Sequence, residues 1–323
     1  MRLGIVGCGL IGQKRAAAAK GHQIMAVADI VPARAQALAA STGAMAMEDW
    51  RTLIDLDIDA VIISTSHDTL AEIALAAVVS GKHVLVEKPA GRRSAEIIPV
   101  AEAAAARRRI VKVGFNHRFH PAVLKAREIF DTGALGEMMF IRGRYGHGGR
   151  PGMETEWRCQ SEISGGGELI DQGSHLIDLA RWFLGDLEVA YAYTPALFWN
   201  IPVDDNCFLA LLARFGQMAW LHASWTEWKN MFSLEICGRN GKLTIEGLGG
   251  SYGLEKLTYH KMLPQMGPPE TTSWEYPFPD TSWEREFAEF SAAIAEQRMP
   301  VGNINDAIAV LDIINHAYVW GRK

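Results

Sequence analysis

The feature that most constrains this chain is the run GCGLIG at residues 7–12, which directly follows a short apolar stretch. A G-x-G-x-x-G pattern between a strand and a helix is typical of a dinucleotide-binding turn. The first glycine allows a tight turn, the second lets the backbone approach a pyrophosphate, and the third lets the helix pack closely on the sheet. The start of the helix then offers N–H groups and partial positive charge to the phosphates. The predicted phosphate-binding residues are Gly7, Gly9, Leu10, Ile11 and Gly12.

Asp29 stands at the end of the second predicted strand, about 20 residues beyond the glycine run. A carboxylate there can accept hydrogen bonds from the adenosine ribose hydroxyls and repels a 2′-phosphate, so NAD is favoured over NADP. Arg34 is close enough to weaken that preference. The alternative interpretation is a structural glycine turn in which Asp29 caps a helix.

The first part of the chain, up to residue 120, alternates short apolar strands with alanine-rich helices. This alternation predicts a doubly wound, parallel Rossmann sheet of the α/β class, covered on both faces. The predicted strands are Leu3–Val6, Gln23–Asp29, Ala60–Ile63, His83–Val86 and Val111–Gly114, and the predicted helices are Gly12–Lys20, Pro32–Ser41, Leu70–Ser80 and Ala95–Arg108.

Residues 121–323 follow a different pattern, in which aromatic and β-branched strands alternate with turns. Gly216 and the pair Asn240-Gly241 mark two hairpins. We predict an α+β domain with a large, mostly antiparallel open sheet, a surface loop over Met262–Pro279 and closing helices near Ser282–Gln297 and Asn305–Trp320. The last helix is a candidate to pack back on the Rossmann domain.

Composition narrows the classes of function. The 323 residues carry a net charge of −5, without the basic surface that nucleic acid or an anionic membrane would require. The four cysteines are widely spaced, which indicates neither a zinc knuckle nor a disulfide framework and suits a reducing compartment. No secretory signal or transmembrane stretch is recognisable, so we expect a cytoplasmic protein.

Four segments together resemble the Gfo/Idh/MocA family of glucose–fructose oxidoreductases, inositol dehydrogenases and rhizopine-catabolism proteins. They are GCGLIG at 7–12, GKHVLVEKP at 81–89, GFNHRFHP at 114–121 and GGGELIDQGSHLIDLARWFLG at 165–185. The resemblance implies NAD(P)-dependent oxidation of a secondary alcohol on a sugar, polyol or nucleotide-sugar, or reduction of the matching ketone. It also implies a homodimer or homotetramer formed through the C-terminal sheet.

The family's E-K-P and D-x-x-x-H motifs fall on Lys88, Asp171 and His175. By resemblance, Lys88 lies beside the nicotinamide and the substrate, and the other two face it from the second domain. The chain departs from the family pattern where Ser66 follows Thr65 in place of proline, and where Leu70 stands in place of a histidine. Further cofactor contacts are expected from Ser64, Thr65 and Glu87.

Alcohol oxidation needs a group that takes the hydroxyl proton and a group that stabilises the alkoxide. Asp171 and His175 are four residues apart on a predicted helix and share one face. We therefore assign His175 as general acid/base, Asp171 as the carboxylate that orients it or holds a substrate hydroxyl, and Lys88 as the cation at the reacting oxygen. We also hypothesise a cis Lys88–Pro89 bond.

Other residues receive weaker assignments. The glycines at 165–167 are expected to let the substrate approach the backbone, and Asp178 is expected to pair with Arg181 at i+3. Residues for which substrate contact and a purely structural role are equally plausible are Asn116, Arg118, Tyr145, His147, Arg150, Trp157 and Arg158.

Three alternatives to a dehydrogenase remain open at this stage. One is a redox-neutral sugar enzyme, such as a glycosidase or epimerase, that oxidises its substrate transiently. Another is a non-catalytic protein that senses the cofactor. The third is a metalloenzyme using Glu168, Asp171 and His175, although we expect no metal. The substrate and the favoured direction do not follow from the sequence.

Overall fold

The computed structural model describes residues 1–277 and 279–320, and the chain divides into two compact units. The first contains Met1–Phe115 and Trp283–Ile308, and the second contains Asn116–Ser282 and the segment from Ala309. The strands are β1 (Arg2–Val6), β2 (Gln23–Ala28), β3 (Met45–Met47), β4 (Ala60–Ile63), β5 (His83–Val86), β6 (Val111–Val113), β7 (Met138–Gly146), β8 (Leu187–Tyr193), β9 (Asn206–Ala213), β10 (Met218–Ser224), β11 (Met231–Gly238), β12 (Gly241–Glu246), β13 (Glu255–Lys261) and β14 (Glu270–Tyr276). The helices are α1 (Leu10–Ala18), α2 (Pro32–Thr42), α3 (Trp50–Ile54), α4 (His67–Val79), α5 (Ser94–Arg107), α6 (Pro121–Asp131), α7 (Ser161–Ser164), α8 (Ser174–Leu184), α9 (Ser282–Glu296) and α10 (Ile304–Trp320).

The first unit is built on a six-stranded parallel sheet in the order β3-β2-β1-β4-β5-β6. All four residues of β4 are buried, as expected of a strand that helices cover on both faces. This strand order is that of the Rossmann fold, and it reverses direction between β1 and β4. The predicted doubly wound sheet is therefore confirmed. Strand β3 and helix α3 are additional elements that were not predicted from the sequence.

Ligands of doubly wound sheets bind outside the carboxyl ends of the strands, where the strand order reverses. In this unit the glycine run follows β1, the segment Ser64–Ser66 follows β4, and Glu87 and Lys88 follow β5. The three segments with sequence-predicted cofactor residues thus lie at one edge of one sheet. A buried cluster that includes Leu3, Val27 and Phe290 fixes the sheet against its helices.

The second unit is built on an eight-stranded sheet in the order β14-β13-β12-β11-β7-β10-β9-β8. Only the β7–β10 pair among these described strands is parallel. Both predicted hairpins are confirmed: Gly216 turns between β9 and β10 with φ +89°, and Gly238 pairs with Gly241 at the β11–β12 turn. The mostly antiparallel sheet is confirmed.

The surface loop predicted over Met262–Pro279 is wrong, because β14 occupies Glu270–Tyr276 and pairs with β13. This strand is at the edge of the sheet and most of its residues are exposed. An edge strand that buries neither face lacks the apolar alternation by which strands are recognised. Among the described residues, no helix has both the length and the apolar character needed to cross a membrane.

Candidate active site

The glycine turn of the first unit has the geometry that its sequence predicts. Gly7 has φ +92°, and a Cβ there would lie 2.5 Å from the carbonyl oxygen of Ser64. A Cβ on Gly12 would lie 1.9 Å from the carbonyl oxygen of Gly7, so only glycine lets α1 pack this closely. A Cβ on Gly9 would meet nothing within 4 Å, which leaves its backbone open to a ligand. The turn therefore fits a dinucleotide pyrophosphate at the start of α1.

Asp29 organises the same turn from the end of β2. Its carboxylate accepts hydrogen bonds from the backbone N–H groups of Cys8 at 2.7 Å and Val31 at 2.8 Å. A carboxylate has about four acceptor positions, so two remain for ribose hydroxyls. Burial, with a smaller contribution from Asp29, raises the pKa of the Cys8 thiol to about 12. The thiol therefore stays protonated beside the turn.

The segment after β4 lies directly against the glycine turn. The Ser64 hydroxyl donates to the carbonyl oxygen of Gly7 at 2.8 Å, and the Thr65 hydroxyl accepts from Thr69 at 2.8 Å. Helix α4 begins at His67, and Leu70 is fully buried within it. A histidine thus opens this helix after all, three positions before the site at which the family pattern places one.

Glu87, which precedes Lys88, belongs to a buried network of ion pairs that was not predicted from the sequence. Arg15 donates to Glu87 at 2.6 Å and also binds Glu286, and Lys112 lies 3.4 Å from Glu286. Arg15, Lys112 and Glu286 are all fully buried. Burial raises the pKa of Glu87, an effect that Arg15 opposes. The Lys88–Pro89 peptide bond is cis, as hypothesised.

In the second unit, a π-helical turn at Leu169–Gly173 leads into α8. Such turns are rare and frequently occur at functional sites. Asp171 lies in this turn, where its carboxylate contacts Arg158 Nε at 3.2 Å. The Arg158 guanidinium lies over the ring of Trp157, 4.6 Å from the centroid. The structure thus brings together three predicted site residues, Asp171, Arg158 and Trp157.

The glycine run that precedes this turn serves a different purpose from the one predicted. A Cβ on Gly166 would lie 2.0 Å from the Tyr318 hydroxyl, and a Cβ on Gly167 would lie 1.9 Å from the carbonyl oxygen of Asp204. The expectation that these glycines make room for substrate is therefore wrong at both positions. They make room for Tyr318 and for the Asp204 backbone, which pack against the start of the turn.

His175, the second residue of α8, packs against an aromatic cluster. Its ring stacks on that of His117 with centroids 3.7 Å apart, and Tyr145 lies 6.3 Å from it. Tyr145 also packs edge-on against Tyr252 at 4.9 Å. Burial, followed by the neighbouring Tyr252, raises the pKa of Tyr145 well above its ordinary value. His117 was not among the predicted site residues, although it lies between Asn116 and Arg118 in the segment GFNHRFHP, which could have drawn attention to it.

Other predicted site residues have internal partners. Arg118 forms a two-point ion pair with Asp178 at 2.8 and 2.6 Å, and both side chains are buried. The predicted Asp178–Arg181 pair is therefore wrong, and Arg181 binds Asp186 instead at 2.9 Å. The spacing along the helix predicted Arg181 as the partner of Asp178, but the guanidinium that binds Asp178 belongs to Arg118, on another element.

Three more candidates have partners within the second unit. Asn116 donates to the Ser282 hydroxyl at 3.1 Å, and Arg150 pairs with Glu156 at 2.6 Å. The ring of His147 accepts from the backbone of Gly149 at 2.9 Å, and burial lowers the pKa of His147. Within residues 1–277 and 279–320, no three histidine, cysteine or acidic side chains are grouped so as to hold a metal ion.

Comparison with known proteins agrees with this fold. Residues 1–115 match the family model "Oxidoreductase family, NAD-binding Rossmann fold", and residues 123–244 match the "GFO/IDH/MocA C-terminal domain". These matches define the class, an oxidoreductase family that binds NAD through its Rossmann domain. The chain belongs to the Gfo/Idh/MocA family.

Curated relatives with established names are sugar and polyol dehydrogenases. Levoglucosan dehydrogenase of Pseudarthrobacter phenanthrenivorans is 37% identical over 147 residues, which cover 45% of this chain and 38% of the relative. Inositol 2-dehydrogenase 2 of Saccharopolyspora erythraea is 34% identical over 226 residues, covering 67% of this chain and 64% of the relative. The matched regions thus span less than two thirds of the length of each relative.

Solved structures share the fold over the whole chain. A levoglucosan dehydrogenase in complex with NADH and L-sorbose has a TM-score of 0.89 at 24% identity, covering 100% of this chain and 97% of that one. The WlbA dehydrogenase of Bordetella pertussis, in complex with NADH and UDP-GlcNAcA, has a TM-score of 0.83 at 20% identity, covering 100% and 97%. At these identities the likeness establishes the fold.

Proposed function

We propose that this protein is an NAD-dependent dehydrogenase or ketoreductase acting on a secondary alcohol, or the matching ketone, of a sugar, polyol or nucleotide-sugar. One observation carries the proposal: the open glycine turn after β1 and the segment Glu87–Lys88 after β5 lie at the same carboxyl edge of a Rossmann sheet. A pyrophosphate site and a lysine there meet the requirements of hydride transfer at a bound nicotinamide. The names of the curated relatives support the substrate class.

Three residues would take part in the reaction of the substrate hydroxyl. Bound NAD supplies the hydride acceptor. The Lys88 ammonium stabilises the alkoxide as the hydroxyl proton leaves, because a cation beside a developing negative charge lowers the barrier. His175 takes that proton, since imidazole titrates near neutral pH. Asp171, held by Arg158, orients the imidazole or binds a second substrate hydroxyl.

The geometry of the first unit supports a set of cofactor-binding residues. The backbone at Gly7, Gly9 and Gly12 and the start of α1 would hold the pyrophosphate, with Ser64, Thr65 and Glu87 lining the nicotinamide side. Asp29 would bind the ribose, which favours NAD, while the exposed Arg34 leaves some room for NADP. Leu10 and Ile30 are 69% and 90% exposed at this edge and would cover apolar parts of the dinucleotide.

Substrate recognition is assigned to the second unit. Trp157 offers a ring face to a sugar, and Arg158 offers hydrogen-bond donors beside Asp171. Tyr145 would contribute from β7. Asn116 is hydrogen-bonded to Ser282, and Arg118 is paired with Asp178. These two residues would affect substrate recognition indirectly, by fixing the shape of the substrate-binding surface.

Self-association and location complete the proposal. One face of β8, β9 and β10 exposes a large apolar surface, consisting of Tyr191, Tyr193, Leu212, Met218 and Trp220. Apolar patches of this kind mark protein–protein interfaces, so we propose a homodimer or homotetramer through this sheet. All four cysteines are free and buried, in keeping with a cytoplasmic location.

The test is nicotinamide absorbance, followed with purified protein, NAD and a panel of levoglucosan, inositol, free sugars and nucleotide-sugars. We expect NADH formation on one substrate class and its loss in Lys88→Ala and His175→Ala. Lys20→Ala and His316→Ala, at exposed positions, serve as matched controls that keep the activity. A protein that binds NAD but reduces none on the whole panel would refute net oxidation and point to redox-neutral turnover or cofactor sensing.

A further inference from the structure

The stack between His117 and His175 is the least expected contact in the second unit. The two rings are nearly parallel, with centroids 3.7 Å apart and planes inclined by 20°. His117 comes from the short 3-10 turn Asn116–Phe119 and His175 from α8. Each residue is only 5% exposed. Two titratable rings are thus held face to face in surroundings with little water.

The walls around the pair are mainly aromatic. Tyr145 lies 5.1 Å from the ring of His117, and Phe232 lies 6.1 Å from it. His120 meets the ring of His117 edge-on at 5.6 Å. Asn116 places its side-chain oxygen 3.2 Å from Nδ1 of His117. These neighbours hold the ring of His117 in place, and Asn116 contributes a polar contact from the same turn.

The turns and the helix that carry the two rings also carry charged side chains, and these include matched pairs. Asp178 is paired with Arg118, and Asp171 with Arg158. His120 lies 2.9 Å from Glu255 and 3.9 Å from Asp280. Further titratable groups on adjacent elements include the buried Glu168, at the start of the π-helical turn, and the hydroxyls of Tyr145 and Tyr252.

Charging both stacked rings would place two like charges in contact in a poorly hydrated site, which is strongly disfavoured. Interacting groups of this kind release their protons in steps that belong to the pair. The first proton that enters is shared between the rings, and the second enters only at lower pH. A histidine in such a pair would keep a neutral population at pH values at which a solitary histidine would be charged.

We propose that His117 is a positioning residue for His175: the stacked rings carry no more than one proton over the working pH range, which keeps His175 able to accept the proton of the substrate hydroxyl. The inference rests on the proposed function. In that step the O–H bond breaks and its proton moves to an imidazole nitrogen of His175. The carbinol carbon is oxidised as its hydride reduces NAD, whose nicotinamide gains the electron pair.

The experiment follows the C–H signals of the histidine rings by NMR against pH, in the protein without substrate. His117→Phe keeps a flat ring for stacking and removes its titration, and His117→Gln is a second, smaller replacement. The signal of His175 is assigned with His175→Gln. The matched control is His222→Phe, because His222 is also stacked on a ring, that of Phe208 at 4.3 Å. His222 lies on β10 opposite Arg144 of β7, and its side chain is on the other face of the sheet from Tyr145.

We expect His175 to titrate in two steps in the wild-type protein and in one step in His117→Phe. The midpoint in the variant should be higher by roughly half a unit to one unit. The acidic limb of kcat/KM should move to higher pH with it, whereas His222→Phe should move neither. An unchanged His175 midpoint in both His117 variants, or a simple one-step titration of both rings in the wild-type protein, would overturn the proposal.

The two proposals fail in different ways. Full turnover by His175→Ala would refute its role as the base, and with it the proposed function of this residue, whatever the NMR titration shows. Loss of turnover in His175→Ala together with an unchanged titration in His117→Phe would refute the coupling alone. A purely structural role of His117 predicts lower stability in its variants with no displacement of the pH profile.

Discussion

The hydroxyl of Tyr318 donates a 2.8 Å hydrogen bond to the buried carboxylate of Asp204. The same carboxylate accepts from the backbone N–H groups of Gly167 at 2.9 Å and Leu169 at 2.7 Å. Burial and the nearby Asp204 raise the pKa of Tyr318 well above its ordinary value, so its hydroxyl remains a donor. A tyrosine of α10 thus fixes the start of the turn that carries Asp171.

Replacing Tyr318 by phenylalanine should destabilise the protein by about 1–3 kcal/mol, because Asp204 would lose a donor in a buried position. We also expect a lower kcat, since the turn with Asp171 would be held less firmly. Denaturant unfolding and steady-state kinetics measure the two effects. Tyr259→Phe, at a tyrosine of β13 whose hydroxyl makes only a long 3.5 Å contact with the Ala134 carbonyl oxygen, is the control and should change the stability by less than about 0.5 kcal/mol. Equal effects of the two substitutions would contradict this account.

The buried arginine of the first unit yields a second prediction. Arg15→Met would leave Glu87 and Glu286 without their shared cation, which should cost roughly 3–5 kcal/mol of stability. NAD binding should weaken as well, because Arg15 belongs to α1 and holds the residue next to Lys88. Arg51→Met removes a surface pair with Glu72, and its cost should stay within about 1 kcal/mol. The measurements are unfolding curves and NAD titrations of both variants. Equal losses of stability in Arg15→Met and Arg51→Met would contradict the prediction that the buried ion pairs matter more than the surface pair.

Cofactor choice is tested at Asp29. Asp29→Asn keeps an acceptor for one backbone N–H and removes the charge at the ribose, so NAD affinity should fall about tenfold, or ~1.4 kcal/mol. NADP affinity should fall less or rise, because the repulsion of a 2′-phosphate is gone. Asp49→Asn, at the exposed cap of α3, is the control. Titration of each variant with both cofactors is the measurement, and an unchanged NAD to NADP preference would argue that Asp29 only organises the turn.

The stability of the protein should depend on pH through His83. Burial, aided by Arg109, lowers the pKa of His83, and its Nδ1 accepts from the backbone N–H of Ile110 at 3.0 Å. The unfolded chain binds the proton more readily, so stability should decline as pH falls from about 6.5 toward the lower pKa of the folded state. His83→Gln should flatten this decline, whereas His316→Gln, at an exposed position, should not. Unfolding free energies measured across this range would decide, and a decline of equal steepness in His83→Gln would exclude His83 as its source.

The sequence predicted the features that depend on neighbouring residues. The apolar strands β4 and β5, the glycine turn and both hairpins lie where local patterns place them. The contacts that define the site join distant positions instead. Arg118 and Asp178 are 60 residues apart, and Asp204 and Tyr318 are 114 apart. Such partners become visible only when the fold brings their elements together, and the same holds for the His117–His175 stack.

The π-helical turn at Leu169–Gly173 has a consequence for how this site can vary. A π-helical turn contains one residue more than an α-helical turn, and each residue of an α-helix rotates the chain by about 100°. Deleting a single residue between Asp171 and His175 would therefore change the rotation between these two side chains by about 100°. A change of one residue in the length of this turn would therefore alter the direction in which the segment presents its carboxylate, without any change in the sequence of α8.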